Sequence, residues 1–574
     1  MLDELELPQL PPETPIHDAM EMLCKDGMPF ATHETEIHGI TQRVFTNQPA
    51  TLREVLMLIL GHGDKEFIVY EDERYTFKDA IDKAARFAQA LVNDCGVKKG
   101  DCVALAMRNY PEWPIAYMGI VASGARAVLM NAWWKTEELK WAMEDCGAKL
   151  LVADAQRAGY LQDHLDELDL HVIIARDSFE ANDRIKSFDS LLDGKTPLTF
   201  PDVDIANDDD AMMLYTSGST GFPKGAVSSH RAVISVLFNW VVIALALKMV
   251  GRANPDPDFQ PIMLVAVPFF HVTGLVPVML VSAVIGRKIV IMHKWDVERA
   301  YQLIEGEGVT SFTGVPTMSY ELAASPLREN YDLSSLVDIG GGGAARPPEH
   351  VKMIRDVFKD SSPGIGYGLT ETNSLTSVLS GPEYIDRPNS VGKAVHPIVD
   401  VKIMSADGIE EPTFSRGEIC IKSAVNFRGY WNNDEATDEA FYPDGWFRSG
   451  DVGYLDGEGY LFIVDRMKEI IIRGGENISS QEVEGVLHAH PSVDDIMVFS
   501  LPDEHLGEIV GTVIVTNDDA MNDELIRSYA REHLANYKIP QKIWFTEAPL
   551  PLIASGKIDR KGIKQYYQNL YAGS

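Results

Sequence analysis

The chain has few cysteines and little positive charge for its length. Its 574 residues include 5 cysteines, 51 lysines and arginines, and 85 aspartates and glutamates, which gives a formal charge of −34. No two cysteines have the spacing of a metal-binding or redox CxxC pair, so we expect free thiols in a reducing compartment. A surface this acidic does not suit the phosphate backbone of a nucleic acid. The composition therefore predicts a cytoplasmic protein without a nucleic-acid partner.

Signals for secretion and membrane insertion are also lacking. The chain begins MLDELELPQLPPETP, which is acidic and rich in proline, unlike a secretory leader. The longest apolar region, 261–286, is interrupted by prolines, Gly274 and His271. It predicts a buried strand, a loop and a buried helix rather than a transmembrane segment. The sequence leaves open whether the chain forms a homodimer.

What is present is an alternation of apolar strand-like and helix-like segments. This alternation is typical of α/β folds with largely parallel sheets. Residues 1–50 look irregular and predict an N-terminal extension, whereas 51–465 predict a large domain. Within it, the short alternating strands of 389–464 predict a small β-barrel-like subdomain. Residues 466–574 predict a small α+β domain, with the polar tail 550–564 placed like a mobile loop.

A glycine-rich stretch, YTSGSTGFPKGAV, occupies positions 215–227. An apolar run precedes it and an apolar helical pattern (231–247) follows, which predicts a strand, a glycine-rich turn and a helix. Glycines let backbone N–H groups point inward, hydroxyls add donors, and Lys224 adds a cation. The stretch therefore predicts a site for the β- and γ-phosphates of a nucleotide. It is not a Walker loop, because Pro223 replaces the second glycine and no hydroxyl follows the lysine.

Three other features have more than one interpretation from the residues alone. The run GGGGAA at 340–345 formally fits a dinucleotide-binding fingerprint, although no ribose-binding acid follows at the expected distance. Asp451 could accept hydrogen bonds from ribose hydroxyls or simply form a turn. His271 fits a packed core position as well as a site residue.

Nine motifs occur in one order along the chain, and in that order the chain resembles the adenylate-forming superfamily, in its acyl-CoA synthetase and fatty-acid–CoA ligase branch. The resemblance covers roughly residues 50–570. It implies a large N-terminal AMP-binding domain and a small mobile C-terminal domain that carries a catalytic lysine. The motifs are YTSGSTGFPKG at 215–225, FFHVTG at 269–274, GVP at 314–316, GYGLTE at 366–371, GYWNN at 429–433, GWFRSGD at 445–451, DRMKE at 465–469, GGENIS at 474–479 and SGKIDR at 555–560.

The resemblance implies a nucleotide site in which Tyr367 stacks on the purine. Asp451 and Arg466 would bind the ribose. Thr216 and Glu371 would hold Mg²⁺, an ion that prefers oxygen ligands and phosphates. The full set of implied ATP/AMP-binding residues is Thr216, Ser217, Gly218, Ser219, Thr220, Gly221, Lys224, Gly342, Gly366, Tyr367, Thr370, Asp451, Arg466, Lys468 and Lys557.

The resemblance also implies an acyl pocket and a thiolation side. Apolar residues around His271 supply no obvious cation for a second carboxylate, so we expect a hydrophobic acid. Gly474 and Gly475 are assigned to the side where CoA enters. The acyl-pocket residues are Trp240, His271, Val315, Gly341 and Leu369.

Lys557 and Glu371 are the expected catalytic residues. When a carboxylate attacks the α-phosphate, two anions approach each other, and a positioned ammonium stabilises the transition state. The resemblance places this lysine on the mobile domain and makes Lys468 the hinge residue. Departures from the family pattern are Ile553 for threonine, Ser480 for proline, Glu469 for aspartate, and Ile472 where luciferase-type relatives often carry lysine.

The expected activity is an ATP-dependent carboxylic acid–CoA ligase with Mg²⁺ as cofactor and ATP and CoA as substrates. The acid is expected to be a medium- or long-chain fatty acid or an arylalkanoic acid. Two alternatives remain open. The chain could be a stand-alone adenylation enzyme that loads a carrier protein, or a nucleotide-binding regulator without turnover.

Overall fold

A computed structural model describes residues 7–176, 182–216, 223–256, 258–474, 476–553 and 556–572. The chain forms two compact units. The first contains Met1–Pro388, Gly392–Asp400 and Ile421–Phe447; the second contains Asn389–Val391, Val401–Cys420 and Arg448–Ser574. The predicted domain boundary near residue 465 falls inside the second unit and stays a prediction.

An eight-stranded sheet forms one layer of the first unit. Six of its strands, from Asp210–Thr216 to the far edge, run parallel. Strands of a parallel sheet are covered on both faces, so their sequences are continuous apolar runs. The strand Leu150–Asp154, which is buried throughout, is an example. In order across the sheet, the strands are Gly429–Tyr430, Lys224–Ser229, Asp210–Thr216, Arg126–Leu129, Cys102–Ala106, Leu150–Asp154, His171–Arg176 and Ile185–Ser187.

A nine-stranded sheet forms a second layer of this unit. Its six middle strands are parallel, and antiparallel strands extend it at both edges. The predicted α/β class with parallel sheets is therefore confirmed. The strands, in order, are Lys393–Ala394, Ser377–Ser380, Ser362–Tyr367, Asp338–Gly341, Ser311–Gly314, Ile262–Val265, Lys288–Ile291, Glu66–Tyr70 and Glu73–Thr76.

Helices follow most strands of the first unit, and local sequence explains where they begin. Phe77–Asn93 starts at a capping box in which Thr76 and Asp79 bond each other's backbone N–H groups. The α-helices are Ile16–Leu23, Leu52–Ile59, Phe77–Asn93, Glu112–Ala122, Thr136–Cys146, Ala155–Leu161, Phe188–Leu192, His230–Met249, Val281–Ile285, Val297–Glu307, Pro316–Ala324, Pro348–Val357, Pro382–Asp386 and Asp434–Ala440.

The N-terminal extension is more regular than predicted. It contains the helix Ile16–Leu23 and a hairpin of Thr32–Ile37 with Ile40–Phe45. The sequence does indicate this helix, because its apolar residues are spaced three or four positions apart, and these residues form its buried face. The description of residues 1–50 as irregular was therefore wrong.

A strand that the sequence did not predict lies between the glycine-rich turn and the predicted helix. This strand, Lys224–Ser229, pairs antiparallel with Asp210–Thr216, and the helix predicted over 231–247 runs His230–Met249, after the capping residue Ser229. Gly225 explains the close pairing, because a Cβ there would lie 2.6 Å from the sulfur of Met213. The two strands flank the glycine-rich stretch.

Among the described residues, one helix is long and apolar enough to cross a membrane. This helix, His230–Met249, has 78% of its apolar window buried inside the protein, so we interpret it as a core helix. The apolar region 261–286 forms the strand Ile262–Val265 and the helical segments Gly274–Leu280 and Val281–Ile285, as predicted.

The second unit has two sheets of its own. A four-stranded sheet runs in the order Val399–Met404, Gly417–Ser423, Phe447–Leu455 and Leu461–Arg466, and it contributes most of its residues to this unit. The second sheet contains Glu476–Ile478, Ile471–Arg473, Gly507–Val515, Asp495–Asp503 and Lys542–Thr546. The α-helices are Ser480–His488, Asp523–His533 and Arg560–Ala572.

The polar tail is only partly a loop. The helix Arg560–Ala572 begins within the segment that we predicted as a loop, so that prediction was wrong from residue 560 onward. Ile563, Tyr567 and Tyr571 recur every fourth position and pack against one core of the second unit. This helix begins three residues after Lys557.

Candidate active site

The two ends of the glycine-rich stretch lie side by side in the first unit. Thr216 ends one strand and Lys224 begins the next, and the two residues are register partners. The Thr216 hydroxyl also donates to the Lys224 carbonyl at 3.3 Å. The predicted residues Ser217, Gly218, Ser219, Thr220 and Gly221 lie outside the described residues.

Tyr430 joins this strand pair to Glu371. The Lys224 ammonium lies 5.0 Å from the centroid of the Tyr430 ring, and the Tyr430 hydroxyl donates to Glu371 Oε1 at 2.8 Å. Burial and the Glu371 carboxylate raise the pKa of Tyr430, so its hydroxyl stays protonated and keeps donating. The sequence did not single out Tyr430, although the GYWNN motif contains it.

The oxygen atoms near these strand ends fit a magnesium ion that accompanies a nucleotide. Thr216 offers a hydroxyl and Glu371, only 9% exposed, offers a carboxylate. Among the described residues no group of three or more His, Cys, Asp or Glu side chains could enclose a metal. Magnesium in nucleotide sites takes one or two carboxylates and completes its shell with water and phosphate. The donor set therefore suits magnesium held jointly with phosphate.

The predicted purine-binding residues meet at the carboxyl edge of the nine-stranded sheet. Tyr367 ends the strand Ser362–Tyr367 and is 8% exposed. Gly342 forms a parallel bridge with Gly366, and a Cβ on Gly342 would lie 3.2 Å from the Gly366 carbonyl oxygen. Ligands of open parallel sheets bind at this edge. Thr370 follows it, in the 3₁₀ helix Thr370–Thr372.

The predicted acyl-pocket residues are only partly brought together. Gly341 is paired with Gly314, which directly precedes Val315, so these positions share one sheet edge. Leu369 lies just beyond the same edge. Trp240 lies on the helix His230–Met249, and His271 lies between a strand and the segment Gly274–Leu280.

Arg346 is a buried cation that the sequence prediction missed. Its side chain is 6% exposed, and a Cβ on Gly341 would lie 2.1 Å from its Nη2. Nη1 donates to the Gly364 carbonyl at 2.9 Å and Nη2 to the Ser319 hydroxyl at 3.3 Å. These contacts are with residues around Gly341, so they do not test the expectation that the residues around His271 supply no cation. The arginine directly follows the GGGGAA run at 340–345, which was the available sequence signal.

The second unit brings together the predicted ribose residues and the predicted catalytic lysine. Asp451 and Arg466 are register partners, with Arg466 Nε 3.0 Å from Asp451 Oδ1, and Asp451 is 3% exposed. Burial and the nearby Arg466 charge lower the pKa of the half-buried Lys557 to about 8, while Asp451 opposes the shift. Lys557 is therefore mostly a cation at neutral pH and sits within electrostatic reach of both side chains.

The predicted hinge and thiolation residues lie in the same unit. Lys468 is in the turn after the strand Leu461–Arg466. Gly474 has a φ of 59° and donates its N–H to the Leu506 carbonyl at 2.8 Å. Gly475 lies outside the described residues.

Comparison with protein families gives two matches. Residues 59–431 match the model of the AMP-binding enzyme family, and residues 482–557 match that of the AMP-binding enzyme C-terminal domain. The first match covers well over half of the chain. It includes the strand pair, Glu371, Tyr430 and the Arg346 segment; the second ends at Lys557.

Curated relatives and solved structures agree with these matches. The chain is 32% identical to the long-chain-fatty-acid–CoA ligase FadD13 of Mycobacterium tuberculosis, over 86% of this chain and 94% of that protein. It is 30% identical to 4-coumarate–CoA ligase 2 of Solanum tuberosum, over 86% and 89%. A solved Mycobacterium tuberculosis fatty acyl CoA synthetase superposes with a TM-score of 0.70 at 30% identity, covering 91% of this chain and 99% of that one.

Proposed function

Because the chain belongs to the AMP-binding enzyme family, in the acyl-CoA synthetase branch of the adenylate-forming superfamily, we propose that it is an ATP-dependent carboxylic acid–CoA ligase. In the first half-reaction, the substrate carboxylate attacks the α-phosphorus of ATP, and pyrophosphate leaves with the bonding electron pair. In the second, the CoA thiol attacks the acyl carbon and AMP leaves. The names of the CoA-ligase relatives support this class of reaction.

The observation that carries the proposal is the charge environment of Lys557. The Lys557 ammonium is within electrostatic reach of the Asp451 carboxylate. If Asp451 binds the ribose of the nucleotide, the ammonium is placed to act on the same nucleotide. Negative charge builds up around the five-coordinate phosphorus in the transition state. A fixed cation therefore stabilises the transition state more than the ground state. Lys557 is thus the proposed catalytic cation.

The first unit supplies the phosphate and magnesium contacts in this proposal. Lys224 and the backbone of 217–221 bind the β- and γ-phosphates. Magnesium, held by Glu371 and the Thr216 hydroxyl, would neutralise phosphate charge when bound. The Tyr430 hydroxyl holds the Glu371 carboxylate in place. Tyr367, Gly342, Gly366 and Thr370 form the purine and α-phosphate surroundings.

The small domain is proposed to pivot at Lys468 between the two half-reactions. Adenylation needs Lys557 at the nucleotide, whereas thiolysis needs that space for the thiol. A change in a few backbone dihedrals between residues 465 and 469 exchanges the two arrangements. Gly474 and Gly475 then border the path of CoA.

For the acid we propose a hydrophobic one, of the medium- or long-chain fatty or arylalkanoic type. Trp240, His271, Val315, Gly341 and Leu369 form its pocket. Glycines at 340 and 341 make room for protein side chains, since a Cβ there would lie 2.8 Å from the Thr313 hydroxyl oxygen and 2.1 Å from Arg346 Nη2. A cytoplasmic location is part of the proposal, since all five cysteines are free.

Pyrophosphate release with purified enzyme, ATP, magnesium and a panel of acids tests the proposal. The panel contains fatty acids of graded length, arylalkanoates, acetate and free amino acids. We expect the highest kcat/KM with a hydrophobic acid and formation of its CoA thioester with free CoA. Preference for acetate or an amino acid would overturn the acyl specificity alone.

Two alternatives predict other outcomes of the same assay. A stand-alone adenylation enzyme would release pyrophosphate but would not acylate free CoA. A nucleotide-binding regulator would bind ATP without releasing pyrophosphate with any acid. No observation on the described residues favours either over the ligase, and Lys557, Glu371 and Asp451 are all retained, as turnover requires.

A further inference from the structure

Arg346 differs from the other deeply buried arginines of the protein. Arg126 and Arg157 are 7% and 6% exposed, and each pairs with a carboxylate, Asp210 and Asp154 respectively. Arg346 is 6% exposed, yet among the described residues it forms no ion pair with a carboxylate. A buried cation without an anion is costly, so its presence needs an explanation.

Neutral groups meet only part of the hydrogen-bonding capacity of this guanidinium. Arginine has five N–H donors. Two of them bond the Gly364 carbonyl and the Ser319 hydroxyl, and the Tyr384 hydroxyl is a third hydrogen-bond partner of the guanidinium. Nε is buried and has no hydrogen-bond partner among the described residues. Donors and a full positive charge therefore remain for another group.

The position of the guanidinium relates it to the proposed acyl pocket. It lies against Gly341, where a Cβ would approach Nη2 to 2.1 Å, so any side chain at 341 would displace it. Ser319 belongs to the helix Pro316–Ala324, which begins directly after Val315. Gly364 lies on the strand that ends at Tyr367. The guanidinium therefore contacts one proposed acyl-pocket residue, Gly341, and its partner Ser319 lies on the helix that follows another, Val315.

We propose that Arg346 is a specificity-determining residue that binds a second carboxylate on an otherwise hydrophobic acid, away from the carboxylate that is adenylated. This inference rests on the proposed function, since it assigns the acid that the same site would take. A carboxylate supplies the missing anion and accepts from the unused N–H groups. An acid without a second carboxylate leaves the unused N–H groups of Arg346 unpaired.

Matched pairs of acids test this without any mutation. The pairs are phenylpropanoate with its para-carboxy derivative, and octanoate with octanedioate. We expect the acid with two carboxylates to have a kcat/KM in pyrophosphate release at least about tenfold higher in one of the pairs, because sites built to bond a polar group reject analogues that lack it. Equal values, or preference for the monoacid in both pairs, would overturn the inference while leaving the ligase intact. No release with any acid would defeat the proposed function and this inference with it.

Substitution of the arginine separates recognition from folding. Arg346→Met keeps length and removes charge; we expect it to abolish the preference by lowering kcat/KM for the diacid, mainly through KM, with little change for the monoacid. Arg346→Lys should keep part of the preference. The control is Arg355→Met, on the exposed face of the helix Pro348–Val357, where Arg355 pairs with Asp356. An equal loss for both acids in Arg346→Met and Arg346→Lys would show a purely structural role. If Arg346→Met does not fold, the inference is tested by the preference of the wild type between the paired acids and by the partial preference expected of Arg346→Lys.

Discussion

Asp465 caps the helix that begins at Ser480. Its Oδ2 accepts hydrogen bonds from the Ser480 backbone N–H at 2.5 Å and from the Ser480 hydroxyl at 3.0 Å. Both residues are fully buried. Asp465 precedes the proposed pivot at Lys468 and Ser480 follows it, so these bonds bridge the pivot. We expect them to favour the arrangement in which Lys557 lies within electrostatic reach of Asp451, because a pivot that moves Ser480 away from Asp465 would break both bonds.

Replacing Ser480 by proline, the residue common in the family, should weaken this arrangement. Proline has no N–H and no hydroxyl, and it is well tolerated in the first turn of a helix. Two hydrogen bonds worth about 0.5–1.5 kcal/mol each would be lost. We expect adenylation, measured as pyrophosphate release, to slow by roughly fivefold to a hundredfold. Thioester formation from supplied acyl-adenylate and CoA should be unchanged or faster.

Ser480→Ala is the graded control for that experiment. It removes the hydroxyl but keeps the N–H, so its effect should lie between the wild type and the proline variant. Equal slowing of both half-reactions in Ser480→Pro would contradict a role in the pivot and indicate general damage to the helix. Thermal melting of the variants shows whether folding has changed.

The adenylation rate should depend on the charge of Lys557. Its pKa is lowered to about 8, so the ammonium is present at neutral pH and is lost as the pH rises through 8. We expect kcat/KM for ATP to fall roughly tenfold per pH unit above that point. Lys557→Met should reduce adenylation on the order of a hundredfold or more and remove this dependence. Thioester formation from supplied acyl-adenylate should persist, and a decline above pH 8 in Lys557→Met would assign the titration to another group.

The two residues beside Lys557 should shift that titration in opposite directions. Arg466 lowers the pKa of the lysine and Asp451 raises it. Arg466→Gln should therefore move the basic limb of the adenylation profile to higher pH, and Asp451→Asn should move it to lower pH. Both variants should also raise the KM for ATP, since both side chains are proposed to contact the ribose.

A distant arginine provides the comparison for these two variants. Arg531 is exposed and pairs with Glu524, so Arg531→Gln should leave the profile where it is. Shifts in the same direction for Arg466→Gln and Asp451→Asn would mean that the limb does not report Lys557.

Local sequence was sufficient wherever a cap or a periodic pattern defined an element. The helix Phe77–Asn93 follows from local sequence, because Thr76 and Asp79 form its capping box and its apolar residues share one face. The strand Lys224–Ser229 was missed because it has only six residues and is polar at its ends. Its pairing with Asp210–Thr216 is what makes it a strand.

Two parts of the site depend on contacts that no local pattern contains. The Tyr430 hydroxyl meets Glu371 across 59 positions of sequence. Arg346 follows a glycine run, but its burial without a carboxylate results from the packing of Ser319, Gly364 and Tyr384 around it. Motifs predict the nucleotide residues, whereas partners of this kind are found only once the fold is known.

Tyr430→Phe tests whether Glu371 holds magnesium. The variant removes the 2.8 Å hydrogen bond to the carboxylate but keeps the ring face over which Lys224 lies. Groups that orient a metal ligand typically affect metal affinity by about tenfold or more. We therefore expect the magnesium concentration for half-maximal pyrophosphate release to rise about tenfold, with little change at saturating magnesium.

The matched control is Tyr566→Phe, at a side chain that is 63% exposed on the C-terminal helix, and it should behave as the wild type. If Tyr430→Phe instead raised the KM for ATP at every magnesium concentration, the hydroxyl would act on the phosphates and not through the metal. Glu371→Gln distinguishes these cases further, because removing the carboxylate charge should weaken the response to magnesium more than the loss of one hydrogen bond does. If magnesium dependence were unchanged in both variants, Glu371 would not be a magnesium ligand, and the proposed magnesium site of Glu371 and Thr216 would fail.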